Sequence, residues 1–171
     1  TIGKETFPLP FPFFVMATEN PVEQLGTYKL PEAQLDRFLY KVMMRYPTFE
    51  EEVKILNQNI TIHQFQDFSV TAILTPDQIV RMQHLVKHIR LDTKIQKYIV
   101  RLVEATRNPE KYKVESGKYV SFGASPRSSI ALFIASKAHA MMRGSTVVTA
   151  KDVKDVALPI FRHRIILNFE G

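Results

Sequence analysis

The residues of this 171-residue chain that could do chemistry are few, and they are one asparagine and two arginines. Asn20 closes the loop after an apolar run, where its amide can donate to a phosphate oxygen, although Asn-Pro is also ordinary turn chemistry. Arg127 falls in the first turn of a predicted helix, where a guanidinium could clamp an anion or simply be exposed. Arg37 lies near the end of a short predicted helix, and by position alone it is a surface residue that could pair with Asp36 or Glu32.

Other common kinds of site are missing from the sequence. With zero cysteines the chain has no disulfide framework, thiolate zinc site or cysteine nucleophile. His84 and His88 have the spacing of two metal ligands on one helix face, but the sequence places no third ligand, and we expect no metal site. The two Gly-Lys pairs, which begin at Gly3 and Gly117, lack the pattern of a phosphate-binding loop. No nucleophile and base stand at an informative spacing, so an independent enzyme is not indicated.

The first part of the chain reads as a fragment of an α/β fold. Prolines at alternate positions in 7–12 indicate an extended arm or the edge of a hairpin. The continuous apolar run 13–17 predicts a buried strand, and residues 40–44 predict a second short strand. Between them, residues 31–38 have a proline followed by strong helix formers and predict a short helix. This sheet is too small to be stable alone.

The rest of the chain predicts amphipathic helices. Thr48 and Thr75 each begin a capping box, and Thr149 and Ser125, the latter followed by Pro126, predict two further helix starts. A further helix has an apolar face of Ile95, Tyr98, Ile99, Leu102 and Val103 and ends near Asn108. For the helix that starts at Ser125 we predict a stop at Gly144 and an inward face made of Ile130, Phe133, Ile134, Ala138 and Met141. Residues 59–74 alternate weakly and are interpreted as a linker or an irregular strand.

The net charge of +6 comes entirely from the last 71 residues, which hold twelve basic and six acidic side chains. An excess of this kind can attract an anionic partner. The alternative function is therefore a basic helical module that binds nucleic acid or an acidic protein without catalysis. No helix has a dense basic stripe with interleaved aromatic residues, which weakens that alternative. A salt titration of nucleic-acid binding would test it.

The beginning of the chain has no signal-peptide pattern, and no apolar run approaches the length of a membrane helix. We therefore expect a cytoplasmic protein. The first residue is Thr1, which predicts that the chain is processed or cut from a longer one.

Several of these residues recur together in one known family. The block 14–23, the Gly26-Thr27-Tyr28 triplet and the block 30–38 resemble the signature of MoxR-type AAA+ ATPases. The segments 105–107, 123–127 and 161–165 follow in the order of that family. The resemblance extends over nearly the whole chain but covers only the C-terminal half of the ATPase module, without the Walker A and Walker B motifs. Lys29 stands where the family more often has proline.

The resemblance implies a role for each of the three candidate residues. Asn20 matches sensor 1, which orients the attacking water against the γ-phosphate. Arg37 matches the arginine finger, which acts in trans on the nucleotide of the neighbouring subunit. Arg127 matches sensor 2, which contacts the phosphates of ATP at the start of a lid helix.

The resemblance also implies the architecture and the partners. The expected fold is a partial P-loop NTPase core of the α/β class followed by an all-helical lid. The expected divisions are the end of the core at 1–47, a joining segment at 48–74 and the lid at 75–171. ATP and Mg²⁺ are the implied cofactors, held mainly by the missing half. A hexameric ring that remodels a von Willebrand factor A-domain protein is the implied assembly and function.

Overall fold

A computed structural model describes residues 3, 5–19, 30–58 and 70–171 of the chain. The described part is mostly helical. Its α-helices are α1 (Glu32–Leu35), α2 (Phe49–Gln58), α3 (Pro76–His88), α4 (Thr93–Arg107), α5 (Pro126–Met142) and α6 (Ala150–Phe161). Two 3₁₀ turns, Glu110–Tyr112 and Glu115–Tyr119, follow α4. The strands β1 (Val120–Phe122) and β2 (Ile166–Leu167) pair antiparallel, a long-range contact that the sequence patterns did not predict.

The hydrophobic core lies among α4, α5 and α6, with α5 packed mainly on α6. Four side chains at its centre are almost completely excluded from water: Val103, Leu132, Val153 and Ile160. Burying a branched side chain of this size contributes roughly 1.5–3 kcal/mol, so these contacts fix the relative positions of the three helices. Arg90 forms a parallel backbone bridge with Val147, which ties the end of α3 to the loop before α6.

The predicted helix starts are confirmed by their caps. The hydroxyls of Thr75 and Thr149 accept backbone N–H groups in complete capping boxes with Gln78 and Asp152. Thr48 makes the same reciprocal pair of bonds with Glu51 before α2. These caps are local interactions that satisfy the free N–H groups of the first turn, which explains why the sequence predicts them well.

The predicted stop of α5 is also confirmed, because Gly144 takes a left-handed conformation with φ of +78°. Its backbone N–H donates to the carbonyl of Met141, and the N–H of Ser145 donates to Ala140. A residue with a side chain is strained in this conformation, so glycine at this position ends the helix.

The predicted inward face of α5 is wrong at its first three residues, whereas Met141 packs against the core as predicted. Ile130, Phe133 and Ile134 are 61%, 37% and 49% exposed, respectively. The buried residues of α5 are mostly small: Ser128, Ala131, Leu132, Ala135, Ser136 and Ala140. Small side chains allow the backbone of α5 to approach α6 and α4 closely, so the larger residues are left on the outside.

The two predicted strands of the first part are not formed in the described residues. Phe14 and Met16 in the run 13–17 are 80% and 79% exposed, and residues 40–44 are also irregular. A strand is stabilised by a ladder of hydrogen bonds to a neighbouring strand, and among the described residues neither segment belongs to a sheet. Residues 70–74 are irregular, and residues 59–69 lie outside the described residues. No described helix is both long and apolar enough to cross a membrane.

Candidate functional site

Arg127 lies in the first turn of α5, as predicted. Ser125 is the N-cap residue, and its hydroxyl accepts the backbone N–H of Arg127 at 3.2 Å. The side chain of Arg127 is 52% exposed, so its guanidinium is accessible. The positive end of the helix dipole lies beside it and favours an anionic ligand.

The loop before α5 is held by the end of α4. The hydroxyl of Thr106 accepts the backbone N–H of Ala124 at 2.9 Å and donates to the carbonyl of Val103 at 2.7 Å. Gly123 lies so close to the backbone of Thr106 that a Cβ atom would overlap its carbonyl group. These contacts join the segments 105–107 and 123–127. They thereby position Ser125 and Arg127 at the start of α5.

Replacing Gly123 with alanine is expected to destabilise the helical part of the chain by about 1–3 kcal/mol, since the backbone must shift to remove the overlap. The measurement is the midpoint of urea unfolding, followed by far-ultraviolet circular dichroism. Ser121→Ala, two residues earlier in β1, is the control, and we expect a change of about 0.5 kcal/mol or less. Equal midpoints for Gly123→Ala and the unmodified chain would contradict the close approach.

Arg37 lies two residues after the end of α1 and is exposed. Together with Arg127 it lines a concavity of about 310 Å³ between the α1 segment and α5. The other lining residues are Asp36, Leu39, Ile130, Ala131, Ile134 and Arg164. The structure thus brings together two residues that lie far apart in the sequence, and it places exposed apolar side chains of α5 next to their guanidinium groups.

Asp36 links the α1 segment to the start of α5. Its carboxylate accepts the hydroxyl of Ser125 at 2.9 and 3.1 Å and the Nε of Arg164 at 2.9 Å. The guanidinium of Arg127 lies at 3.9 Å from the same carboxylate. Asp36 thus contacts Ser125, Arg164 and Arg127. These contacts take the place of the suggested surface ion pair between Asp36 and Arg37.

Arg164 is the buried member of this cluster, with a side chain only 3% exposed. Besides Asp36, its guanidinium donates to backbone carbonyls of Asp36, Phe38, Leu39 and Ile160. Burial lowers the pKa of Arg164, and the hydrogen bond to Asp36 opposes that shift. Arg164 therefore fastens the end of the helical part to the segment that carries Arg37. Sequence reasoning assigned it no role, and the only signal was its place in the segment 161–165.

His163 supports the same junction. Its Nε2 lies 3.0 Å from the carbonyl of Phe38, which makes Nε2 the donor of a hydrogen bond. Burial is the main cause that lowers the pKa of His163, and the nearby Arg164 adds to it. A neutral imidazole adds no further positive charge to a site that already holds several guanidinium groups.

Asn20 lies outside the described residues, so its assignment as sensor 1 stays a prediction. The same holds for Lys29. Within 3, 5–19, 30–58 and 70–171, no group of three or more histidine, cysteine or acidic side chains could hold a metal ion.

Several basic residues of the last 71 are occupied by internal ion pairs. Arg143 pairs with Asp152, and Arg164 pairs with Asp36. Lys111 pairs with Glu104, and Lys151 with Asp155. These pairs reduce the positive charge that is free to attract a nucleic acid. They therefore argue against the alternative function, a basic module that binds nucleic acid.

Comparison with known families gives two matches. Residues 1–40 match the ATPase family associated with various cellular activities (AAA), and residues 115–171 match the AAA lid domain. The chain is 41% identical over 173 aligned residues to a protein of Mycobacterium tuberculosis named chaperone MoxR1. The chain belongs to the MoxR-type AAA+ ATPases. The family predicted from the signature blocks is confirmed.

Further relatives agree with the family. The MoxR-type chain is 39% identical to the uncharacterized protein YeaC of Bacillus subtilis. A crystal structure described as that of an ATPase from Cytophaga hutchinsonii superposes with a TM-score of 0.85 and 39% identity, covering 99% of this chain. This likeness confirms the predicted fold, a partial AAA+ core followed by a helical lid. The chain spans about half of these proteins, namely 45% of chaperone MoxR1, 52% of YeaC and 51% of the solved chain.

Proposed function

We propose that this chain supplies the arginine finger, Arg37, and the helical lid of an ATPase that hydrolyses ATP to remodel or activate partner proteins. The observation that supports this most directly is the shared concavity of Arg37 and Arg127. Two exposed guanidinium groups next to a helix N-terminus fit a phosphate group, whose oxygens accept several charge-assisted hydrogen bonds. The family uses nucleotide together with Mg²⁺, which we expect residues beyond this chain to hold.

The chemistry of phosphoryl transfer suits these residues. Negative charge spreads over the equatorial oxygens of the transferred group, and catalysis depends mainly on positioning and on positive charge. Arg37 and Arg127 would donate to these oxygens from two directions, one from the α1 segment and one from α5. Arg164 is neutralised by Asp36 and buried, so it would not compete for the phosphate.

The arrangement also favours one particular assembly. An arginine finger acts on the nucleotide of the next subunit, and Arg127 shares the concavity of Arg37. We therefore propose that both arginines reach the same phosphate group across a subunit interface, while Asn20 serves the nucleotide of its own subunit. An interface of this head-to-tail kind closes into a ring.

The remaining parts of the proposal come from the resemblance. They are a hexameric ring, a von Willebrand factor A-domain partner and the division of the chain at 1–47, 48–74 and 75–171. The cytoplasmic location also stays a prediction.

Mixing two inactive variants of the full-length protein tests the proposed assembly. Asn20→Ala and Arg37→Ala rings are each expected to hydrolyse ATP slowly. In rings mixed at equal amounts, about a quarter of the interfaces combine an intact Asn20 from one subunit with an intact Arg37 from the next. Steady-state ATP turnover should therefore recover to about a quarter of the unmodified rate.

The matched control mixes unmodified protein with each variant separately, which measures how freely the subunits exchange. If subunits exchange but the two variants together stay as slow as either alone, Arg37 does not act across the interface. The proposal for Arg37 would then be wrong.

A further inference from the structure

The three groups around the carboxylate of Asp36 are held with different strength. Arg164 is buried and donates to Asp36 and to four backbone carbonyls, so it is fixed. The hydroxyl of Ser125 donates to the carboxylate while it caps α5, so it is fixed as well. Arg127 is half exposed and 3.9 Å away, beyond hydrogen-bond distance. Only Arg127 can leave Asp36 without breaking the junction.

Asp36 is also adjacent in sequence to Arg37. Its backbone carbonyl accepts a hydrogen bond from Arg164 at 2.9 Å, so the main chain at the finger is tied to the end of the lid. Asp36 therefore restrains the main chain next to Arg37 and also attracts the guanidinium of Arg127.

We infer that Asp36 is a positioning residue for Arg37 and Arg127, and that Arg127 exchanges its ion pair with Asp36 for the phosphate when nucleotide arrives. This inference rests on the proposed function. A phosphate carries more negative charge than one carboxylate that already has two other partners, so Arg127 moves towards it. Asp36 stays bound to Arg164 and Ser125 and keeps the backbone next to Arg37 in place. The lid and the finger of one subunit are thereby linked through Asp36.

The test uses the full-length protein with Asp36→Asn. The amide keeps the shape of the side chain and an acceptor for Ser125 but removes the charge. We expect kcat to fall about tenfold because the finger is less well positioned. We expect the KM for ATP to fall by about two- to fivefold because Arg127 no longer has a competing partner. Glu32→Gln, which removes one charge from α1 just before Asp36, is the matched control and should change neither value.

A double-mutant cycle separates positioning from a purely structural role. In the Arg127→Ala background, Asp36→Asn should no longer lower KM, because the group on which it acts is gone. An equal change of KM in both backgrounds, or an increase of KM on Asp36→Asn alone, would overturn the inference.

The folded state is checked by circular dichroism and by ring assembly on size-exclusion chromatography. If Asp36→Asn fails to fold, Arg164→Lys, which keeps the charge but removes the fork of donors, takes its place. It should lower kcat about tenfold without raising KM, and unchanged kcat would overturn the inference. If Arg127→Ala and Arg37→Ala leave turnover unchanged, the proposed function fails. If they slow turnover but the cycle is additive, only the role of Asp36 fails.

Discussion

Arg37→Ala is expected to reduce ATP turnover of the full-length protein by about 10³-fold or more, since that is the range for removal of an arginine finger. The side chain is exposed at the rim of the concavity and makes no ion pair with the adjacent Asp36. Its loss should therefore remove charge from the site without removing a contact that holds the fold. The measurement is steady-state ATPase activity per subunit at saturating ATP, together with ring assembly.

Two further variants test whether the geometry and the position of the Arg37 charge matter. Arg37→Lys keeps the positive charge but loses the planar fork, so we expect only partial recovery of the rate. Arg81→Ala removes an exposed arginine from α3, outside the concavity, and should leave the rate within about twofold of the unmodified protein. Unchanged turnover in Arg37→Ala would show that this residue is not the finger.

Asp152→Ala is expected to destabilise the lid by about 2–4 kcal/mol, because it removes a cap and charge-assisted hydrogen bonds. The Asp152 side chain is only 1% exposed. Its carboxylate accepts from Nε and Nη2 of Arg143 at 2.6 and 2.8 Å, and it lies 3.0 Å from Nδ1 of His139. It also accepts the backbone N–H and the hydroxyl of Thr149 at 2.7 Å each. One carboxylate thus joins the end of α5 to the start of α6.

The effect of Asp152 should depend on pH in a defined direction. The hydrogen bond from Arg143 is the largest cause that holds the pKa of Asp152 far below its usual value, and Thr149 and His139 act in the same direction. In the unfolded chain the pKa returns to about 3.9. The stabilising contribution is therefore complete above that pH and is lost as the pH falls below it towards the folded pKa. Unfolding by urea at pH 7 and at about pH 3 should show a smaller difference between Asp152→Ala and the unmodified chain at the lower pH.

Asp155→Ala is the matched control, one turn further along α6. Asp155 forms an exposed ion pair with Lys151 at 2.7 Å, which contributes about 0.5 kcal/mol or less. If Asp152→Ala and Asp155→Ala unfold at the same urea concentration, the buried network does not hold α5 on α6.

The starts and stops of the helices could be predicted from the sequence because their causes are local. Thr75 and Thr149 satisfy the N–H groups of the turn that follows them, and Gly144 takes a conformation that its neighbours avoid. These interactions join residues a few positions apart, so a short stretch of sequence contains both partners.

The inward face of α5 could not be predicted in the same way. The helix has apolar residues around most of its surface, so the periodicity of its sequence does not select one side. The choice depends on how closely α4 and α6 approach, and Ala131 and Ala135 permit the closer contact. Ile130, Phe133 and Ile134 are left outside for the same reason.

The predicted strands failed for a different reason. The apolar run 13–17 has the composition of a buried strand, but a strand forms only against a partner. The described residues supply none for it, and composition by itself does not reveal where the partner lies.

The sequence by itself indicated the family, the capped starts of four helices and two of the arginines of the site, because these depend on signature blocks and on contacts within one turn. Only the tertiary structure decided that Arg37 and Arg127 share one concavity and that Asp36 binds Arg164, 128 positions further along the chain. A carboxylate can pair with any guanidinium that the fold brings near, and no local pattern specifies which one that is. The packing of α5, α6 and the segment after α1 makes that choice, and with it the link between the segment that carries Arg37 and the lid.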